Sequence, residues 1–386
     1  VVAGPRTTRI LADLGADVIK IERMPDPGTS ARDVRGRFDM WGNLNAGKRS
    51  VALDLGRPEG RDLARRIIGL SDLVIDNFSP RVMSNLGLDQ ATLRSARPDL
   101  IVVSLAGPGH SGPRRDWVTF GPTIQALTGH TSLIGEPGLP PAGYGFAYVD
   151  LMSGSAGALA ALAAMEHRRR TGEGCFVDLS QWEVGASLIG PAWLDLTANG
   201  REAGQDGRLS PDGPAAPDGI YQCAGDDRWC VITCRDETEW RAFRDTIGPP
   251  PWTDDPRFAS LADRIAHRAE LDALVGARTR RYPAVELVER LQAVGVPAGV
   301  VQDARDLIER DPQLRHRGHW LEQTDPESGP GRVEALPIRI DGEPTPPRGL
   351  SPYPGEDTDE VLLDLLGLSR ERVARLRTAG IVGGSP

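Results

Sequence analysis

The 386-residue chain has few aromatic residues, at 5%, and no surplus of positive charge: 54 Asp and Glu outnumber 45 Lys and Arg, leaving a net charge of −9. Binding nucleic acid requires a clustered cationic face, so an acidic chain with a pI near 5.3 is not expected to do it. Long apolar runs are also missing. The segment from Ala156 to Met165 is rich in Ala and falls short of the roughly 20 residues that span a bilayer, so no membrane crossing is expected. Cysteine is scarce: Cys175, Cys223, Cys230 and Cys234 show no C-x-x-C spacing, which argues against a metal site and for buried free thiols. No secretory leader is visible, which fits a cytoplasmic protein, although a chain beginning at Val1 rather than Met suggests missing upstream sequence.

What is present is ordinary globular composition, 39% hydrophobic and 26% charged, over a length that suits two domains. Val1 to Pro5 reads as the end of a strand. Beyond it, strand patterns at Asp17 to Ile21, Ser50 to Leu53, Leu73 to Ile75 and Leu100 to Leu105 alternate with helical segments, the pattern of a parallel sheet covered by helices. Pro58-Glu59 marks one helix start, because proline's missing N–H costs nothing in a first turn and the helix dipole favours an acid there; that helix should run to Leu70. The Gly, Pro, Asp and Ala composition from Thr197 to Asp218 reads as a linker. Two strands, Gly219 to Cys223 and Trp229 to Thr233, then precede helices near Glu237 to Ile247, Leu261 to Thr279 and Ala284 to Val294. A second crossover follows at Pro297 to Val301, and short amphipathic helices close the chain at Thr358 to Leu366 and Ser369 to Ala379.

Several constellations could carry chemistry. Gly107-Pro108-Gly109-His110-Ser111-Gly112 matches the dinucleotide fingerprint G-x-G-x-x-G. That fingerprint needs a helix at once, whereas Pro113 to Trp117 continues as loop and no strand ending in an acid follows, so NAD is not expected. His167 lies in a helix end beside three arginines, where a cation suits the dipole; His316 and His319 are weaker candidate bases. Asp150 stands out. It ends the Gly/Pro-rich stretch Gly135 to Gly145 and opens a small-residue helix, Leu151 to Ala161, where a carboxylate can cap the helix and, kept ionised by the helix N-terminus, can also attack an acyl carbon.

Four segments give that carboxylate a context: Ile10 to Glu22, Gly47 to Leu55, Asp76-Asn77-Phe78 and Gly172-Glu173-Gly174. Together with Val294 to Gly299, Asp311 to Arg315 and Pro354 to Leu362, they resemble the class III CoA-transferases, the group that includes formyl-CoA and carnitine CoA-transferases, over nearly the whole chain. The resemblance implies an α/β fold with a Rossmann-like parallel-sheet domain built from both chain ends, residues 1–200 and 319–386. It also implies a linker at 201–218 and a smaller central α+β domain at 219–318. It further implies coenzyme A or acyl-CoA as substrate, an acyl-CoA donor with a carboxylic acid acceptor, and an interlocked homodimer. Tyr148-Val149-Asp150 occupies the place of the family's catalytic aspartate, which forms a mixed anhydride and then an aspartyl-CoA thioester.

By the same resemblance Val2, Ala3, Arg23, Lys48, Arg49, Asn77 and Phe78 fall at positions that bind CoA, with the three cations meeting its phosphates. Gly143 and Gly145 are candidate oxyanion donors, and Asp206 to Gly213 a candidate cover loop. Two departures point away from formyl-CoA and oxalate: Val2 stands where those enzymes carry glutamine, and Asn85 where arginine is usual. The superfamily also contains α-methylacyl-CoA racemases, which pair the aspartate with a histidine. Phe120 occupies that histidine position here, and His130 lies ten residues later. A non-catalytic subunit of a heteromeric transferase is the remaining alternative.

Overall fold

In the computed structural model, which describes residues 2–24, 36–135, 138–205 and 214–383, the chain opens in a helix rather than a strand. Ala3–Asp13 forms α1, with Pro5 in the first turn where its absent N–H costs nothing, and buries Ala3, Thr7, Leu11 and Ala12. The β-branched start at Val1-Val2 suggested a strand; the helical spacing of these buried positions overrides it.

Two compact units divide the chain. Unit 1 takes Val1–Ser132, Ala142–Gly190 and Pro312–Pro386. In it β1 (Ile19–Glu22) pairs in parallel with β2 (Arg49–Ala52), from Ile19 opposite Arg49 to Glu22 opposite Ala52. Between them α2 (Met40–Asn45) is capped by Asp39, whose side chain accepts from Gly42 N at 2.7 Å. After α3 (Pro58–Leu70), which begins and ends at the residues expected for it, β3 (Leu73–Asp76), β4 (Ile101–Ser104) and β5 (Phe176–Asp178) form a second parallel sheet with β4 in the centre. All four β4 residues are buried, the continuous apolar pattern of a strand covered on both faces. The α/β class is thus as expected, with the parallel strands in two separate sheets among the described residues.

Small residues set the helix packing around β4. The 24-residue helix α5 (Tyr148–Thr171) lies against α1, following α4 (Gly121–Leu127), the other helix that matters for the site. A Cβ at Gly154 would sit 2.6 Å from the Arg6 side chain and one at Gly157 2.5 Å from Thr7 Oγ1, so only glycine allows this approach. Thr7 Oγ1 then bonds the Gly154 carbonyl at 2.9 Å. By length and composition alone α5 would pass for a membrane span, which the shorter run from Ala156 to Met165 did not suggest; Val149, Gly157, Ala158, Ala161 and Ala164 are nevertheless buried within unit 1. Two further helices come after β5, α6 (Gln181–Leu188) and α7 (Gly190–Asn199).

The chain's end shares a core with its beginning. Val361, Leu362, Val373, Leu376, Ile381 and Val382 pack with Val51, Leu53, Leu63 and Ile67. Two antiparallel hairpins, Trp320–Asp325 with Gly329–Glu334 and Leu336–Ile340 with Glu343–Thr345, were not foreseen. Their turn signals sit in runs whose polar and apolar residues alternate poorly, so period-2 reading misses them.

Unit 2 takes Leu133–Pro141 and Pro191–Asp311. Its three strands, β6 (Asp218–Gln222), β7 (Trp229–Thr233) and β8 (Ala298–Val300), pair antiparallel throughout. The segment at Pro297 therefore returns as an antiparallel strand and not as a parallel crossover. The expected helix from Leu261 to Thr279 breaks at His267 into Leu261–Ala266 and Arg268–Thr279. Trp240, Phe243 and Phe258 anchor a core that also holds Cys223, Cys230 and Cys234; all four cysteines are free thiols. The expected linker is partly helical, since α7 runs to Asn199, and the proposed cover loop Asp206 to Gly213 lies outside the described residues.

Candidate active site

Parallel strands point their carboxyl ends to one side, and the loops leaving those ends line a common crevice. In unit 1 that crevice is part of a cavity of about 1290 Å³ that also runs along α3 and the amino end of β3. Its wall takes Ile21, Glu22 and Arg23 from the end of β1 and just past it, Asp76 to Ser79 from the end of β3 and the loop after it, Gly107, Pro108 and Trp117 to Pro122 from the segment after β4, and Ala147, Asp150 and Gln181 from the helices beyond and their starts.

Asp150 lies in the first turn of α5, two residues past its start, and caps nothing: the cap residue is Ala147. Asp150 is 9% exposed and its Oδ2 has no hydrogen-bond partner among the described residues. Burial pushes its pKa above the ordinary carboxylate value, against the expectation that the helix end would simply keep it ionised. Gly121, the first residue of α4, makes room for it. A Cβ there would stand 2.9 Å from both Asp150 Oδ2 and the Ala147 methyl group. The result is a cavity-lining carboxylate with one oxygen that has no hydrogen-bond partner among the described residues, an arrangement suited to attack on an electrophilic carbon.

The other predicted positions separate into two groups. Val2, Arg23, Asn77 and Phe78 line the cavity with Asp150. Phe78 offers a half-exposed apolar face, whereas Asn77 works on the protein itself: its Oδ1 accepts from Gly4 N at 3.1 Å and its Nδ2 donates to the Leu105 carbonyl at 2.7 Å. Ala3 is fully buried and packs with Leu11, Ile101 and Val103. Lys48 reaches the wall, but its Nζ donates to Pro5 O at 2.9 Å, Leu44 O at 2.8 Å and Asn45 Oδ1 at 3.1 Å. These three contacts occupy the nitrogen and tie α1 to α2, and burial holds the amine well below the usual lysine range. Arg49 pairs with Asp17 and with Glu360 at 3.3 Å and is not part of the wall. For these two cations the structure supplies protein partners where the sequence suggested phosphates.

Gly143 and Gly145 are exposed and off the cavity wall. Gly107 to Gly112 continues as turns, and the next helix begins only at Gly121, so the fingerprint-like glycines meet no helix N-terminus. Phe120 is 64% exposed on the wall, where a racemase would need its histidine. His130 is buried elsewhere, with Nε2 3.0 Å from the Gly185 carbonyl and Nδ1 3.4 Å from the Tyr144 hydroxyl. Among the described residues no histidine lines the cavity. His167 and His316 are exposed, and His319 stacks edge-on against Trp320.

Two wall residues were missed. Gly121 belongs to no motif that sequence reasoning recognises beyond Gly-Pro at a helix start. Gln181 was legible in part, because Ser180-Gln181-Trp182-Glu183 is a capping-box pattern, and Ser180 does accept from Glu183 N at 3.2 Å.

Known proteins resemble the chain over most of its length. The model of CoA-transferase family III matches residues 1–358. The succinyl-CoA--D-citramalate CoA-transferase of Chloroflexus aurantiacus is 32% identical over 98% of this chain and 94% of its own length. The succinate--glutarate CoA-transferase of Agrobacterium fabrum is 30% identical over 96% and 94%. Among solved structures, a CAIB/BAIF family protein from Brucella suis superposes with a TM-score of 0.84 at 30% identity, covering 95% of this chain and 96% of that one.

Proposed function

The chain belongs to CoA-transferase family III and is a CoA-transferase acting between carboxylic acids, and from that premise we propose that Asp150 carries the CoA group covalently. One observation bears most of the weight: Asp150 lines the cavity, and its Oδ2 is buried and without a hydrogen bond among the described residues.

In the proposed cycle a carboxylate oxygen of Asp150 attacks the thioester carbonyl of the donor. The C–S bond breaks, CoA leaves as thiolate, and a mixed anhydride remains. The thiolate then attacks the aspartyl carbonyl, releasing the donor acid as carboxylate and leaving an aspartyl-CoA thioester. The acceptor carboxylate repeats both steps in reverse order: it attacks the aspartyl thioester, and the expelled thiolate returns to the acyl carbonyl of the new anhydride. Splitting the exchange between covalent steps conserves the thioester's group potential without ATP. Arg23 at the cavity rim is the cation best placed to meet a CoA phosphate, and Val2 and Phe78 supply apolar wall. Relatives named for succinyl-CoA and glutarate support short dicarboxylic acids as substrates.

The interlocked homodimer is proposed with the same reading. Leu159 on α5 is 71% exposed, with Leu162 and Met165 also exposed on that helix, and α7 exposes Trp193, Leu194 and Leu196 while burying no residue; a second copy would cover such faces. Light scattering after gel filtration tests this, and a monomer would overturn it.

For the catalytic proposal the test is intact mass after incubation with a panel of acyl-CoAs, with and without hydroxylamine. A hydroxylamine-labile adduct on the wild type and none on Asp150→Ala is expected. An equal adduct on both proteins would remove Asp150 from the chemistry.

A further inference from the structure

We infer that Gln181 is a binding residue for the CoA arm, its Oε1 accepting the N–H of a pantetheine amide. The inference rests on the proposed function, in which the cavity receives acyl-CoA. Gln181 opens α6 and is fastened on every side but one. Its backbone N–H donates to Ala106 O at 3.3 Å, the next residue's N–H to Gly107 O at 3.0 Å, and the Ser180 hydroxyl to the same Gly107 oxygen at 3.4 Å. The side-chain Nε2 donates to the Leu105 carbonyl at 2.8 Å, beside the Asn77 amide that shares this acceptor.

Those contacts settle the orientation of the amide. The NH2 must face the Leu105 carbonyl, so Oε1 is the end left over. That oxygen is buried, belongs to a residue only 5% exposed that lines the cavity, and has no partner among the described residues. A buried acceptor left unpaired is costly, and here the fold holds it in place from three sides.

An acceptor is complemented only by a donor. Phosphates and carboxylates carry no proton to give at neutral pH, and the thioester itself has none, so these parts of the substrates cannot satisfy Oε1. The pantetheine arm has two amide N–H groups that need acceptors when they leave water for an apolar-lined passage. Coenzyme A has further donors in its pantoyl hydroxyl, ribose hydroxyl and adenine amine, of which the amides are the ones the apolar passage strips of water. A hydroxyl on the transferred acid is the donor outside coenzyme A, and the experiment separates donors on coenzyme A from one on the acid.

Coenzyme A binding is measured by titration calorimetry, and the KM values for acyl-CoA and acid by steady-state kinetics, for the wild type, Gln181→Met and Gln181→Glu. Methionine keeps the volume and removes the acceptor. Its CoA dissociation constant and acyl-CoA KM should rise about five- to tenfold, whichever acid is used, with kcat and the acid KM unchanged within twofold. Glutamate, protonated at low pH, can donate to Leu105 O and still accept; it should bind CoA as the wild type does at low pH and lose affinity as pH rises. It also serves as the test if the methionine variant does not fold. Unchanged CoA affinity in a folded Gln181→Met would overturn the inference, as would a loss confined to hydroxylated acids. A wild type that does not bind CoA at all would instead overturn the proposed function on which the inference rests.

Discussion

Two buried charges, one in each compact unit, are treated in opposite ways. Arg264 in unit 2 is 0% exposed and fully engaged: its Nε donates to Ala216 O at 2.9 Å, its two terminal nitrogens reach Glu237 at 3.1 Å, and its Nη1 also reaches Phe258 O at 3.2 Å. The guanidinium lies 4.7 Å from the Trp240 ring centre. Asp150 in unit 1 is buried nearly as well and has a carboxylate oxygen with no partner among the described residues. A charge with every nitrogen hydrogen-bonded holds its surroundings in place, whereas one left unmatched raises the energy of the ground state and keeps its reactivity for a ligand. The same contrast separates Asn77, whose amide is used by the protein at both ends, from Gln181, whose amide is used at one.

The largest effect expected from breaking this contrast is chemical. Asp150→Asn or Asp150→Ala should lower kcat for CoA transfer by about 10⁴-fold or more, the scale on which loss of a covalent nucleophile is felt. Transfer within tenfold of the wild type would show that the unmatched oxygen is not the nucleophile. Next comes stability. Arg264→Ala leaves a partly exposed carboxylate and two buried carbonyls without their donor, and should cost about 3–5 kcal/mol in urea unfolding, with kcat per folded molecule unchanged. A variant that unfolds normally but loses activity would mean that the two charges are not separable into structure and chemistry.

The pH dependence carries a sign. Burial raises the Asp150 pKa in the folded state, so ionised Asp150 is lost as pH falls through a value above the ordinary 3.9 or so, and the acid limb of the kcat/KM profile should inflect above it. For stability the direction reverses. A carboxyl whose folded pKa is raised contributes fully below its unfolded pKa, and that contribution disappears as pH rises through the folded one. At neutral pH the wild type therefore carries an unfavourable ionised group, and inactive Asp150→Asn should melt about 2–4 °C higher. A lower melting temperature would mean that the carboxylate has structural partners after all.

Much of this was legible in the sequence, for physical reasons that differ by residue. The parallel strands and α3 emerge from unbroken apolar runs and a Pro-Glu helix start, both local signals. Asp150 was singled out because a Gly/Pro-rich segment gives way to a small-residue helix and because the surrounding motifs resemble a family with an aspartate at that place; the helix in fact begins two residues before it and it does not act as the cap. Gly121 and Gln181 escaped because their roles come from residues distant in sequence: Gly121 needs Ala147 and Asp150 to give it meaning, and Gln181 needs Leu105. The antiparallel return of β8 was equally invisible, since Ala298 to Val300 reads the same in either direction.

Arg49 and Lys48 show the same limit in reverse, for the motif that suggests a phosphate ligand does not reveal the protein groups these cations also hold. Arg49 sits between the two extremes, a partly exposed guanidinium shared by Asp17 and Glu360. Ion pairs exposed to solvent contribute about 0–1 kcal/mol, because water screens them and long side chains lose entropy in making them. Arg49→Ala should therefore be the mildest change of all: stability within 1 kcal/mol or so and CoA affinity within about twofold, read by calorimetry beside Arg23→Ala, which should weaken CoA several-fold and with a shallower salt dependence. If instead Arg49→Ala weakened CoA tenfold while Arg23→Ala left it unchanged, the phosphates would lie along β2. Asp17 and Glu360 would then be the groups that hold the guanidinium ready for them, and a matched charge would have proved to be functional as well.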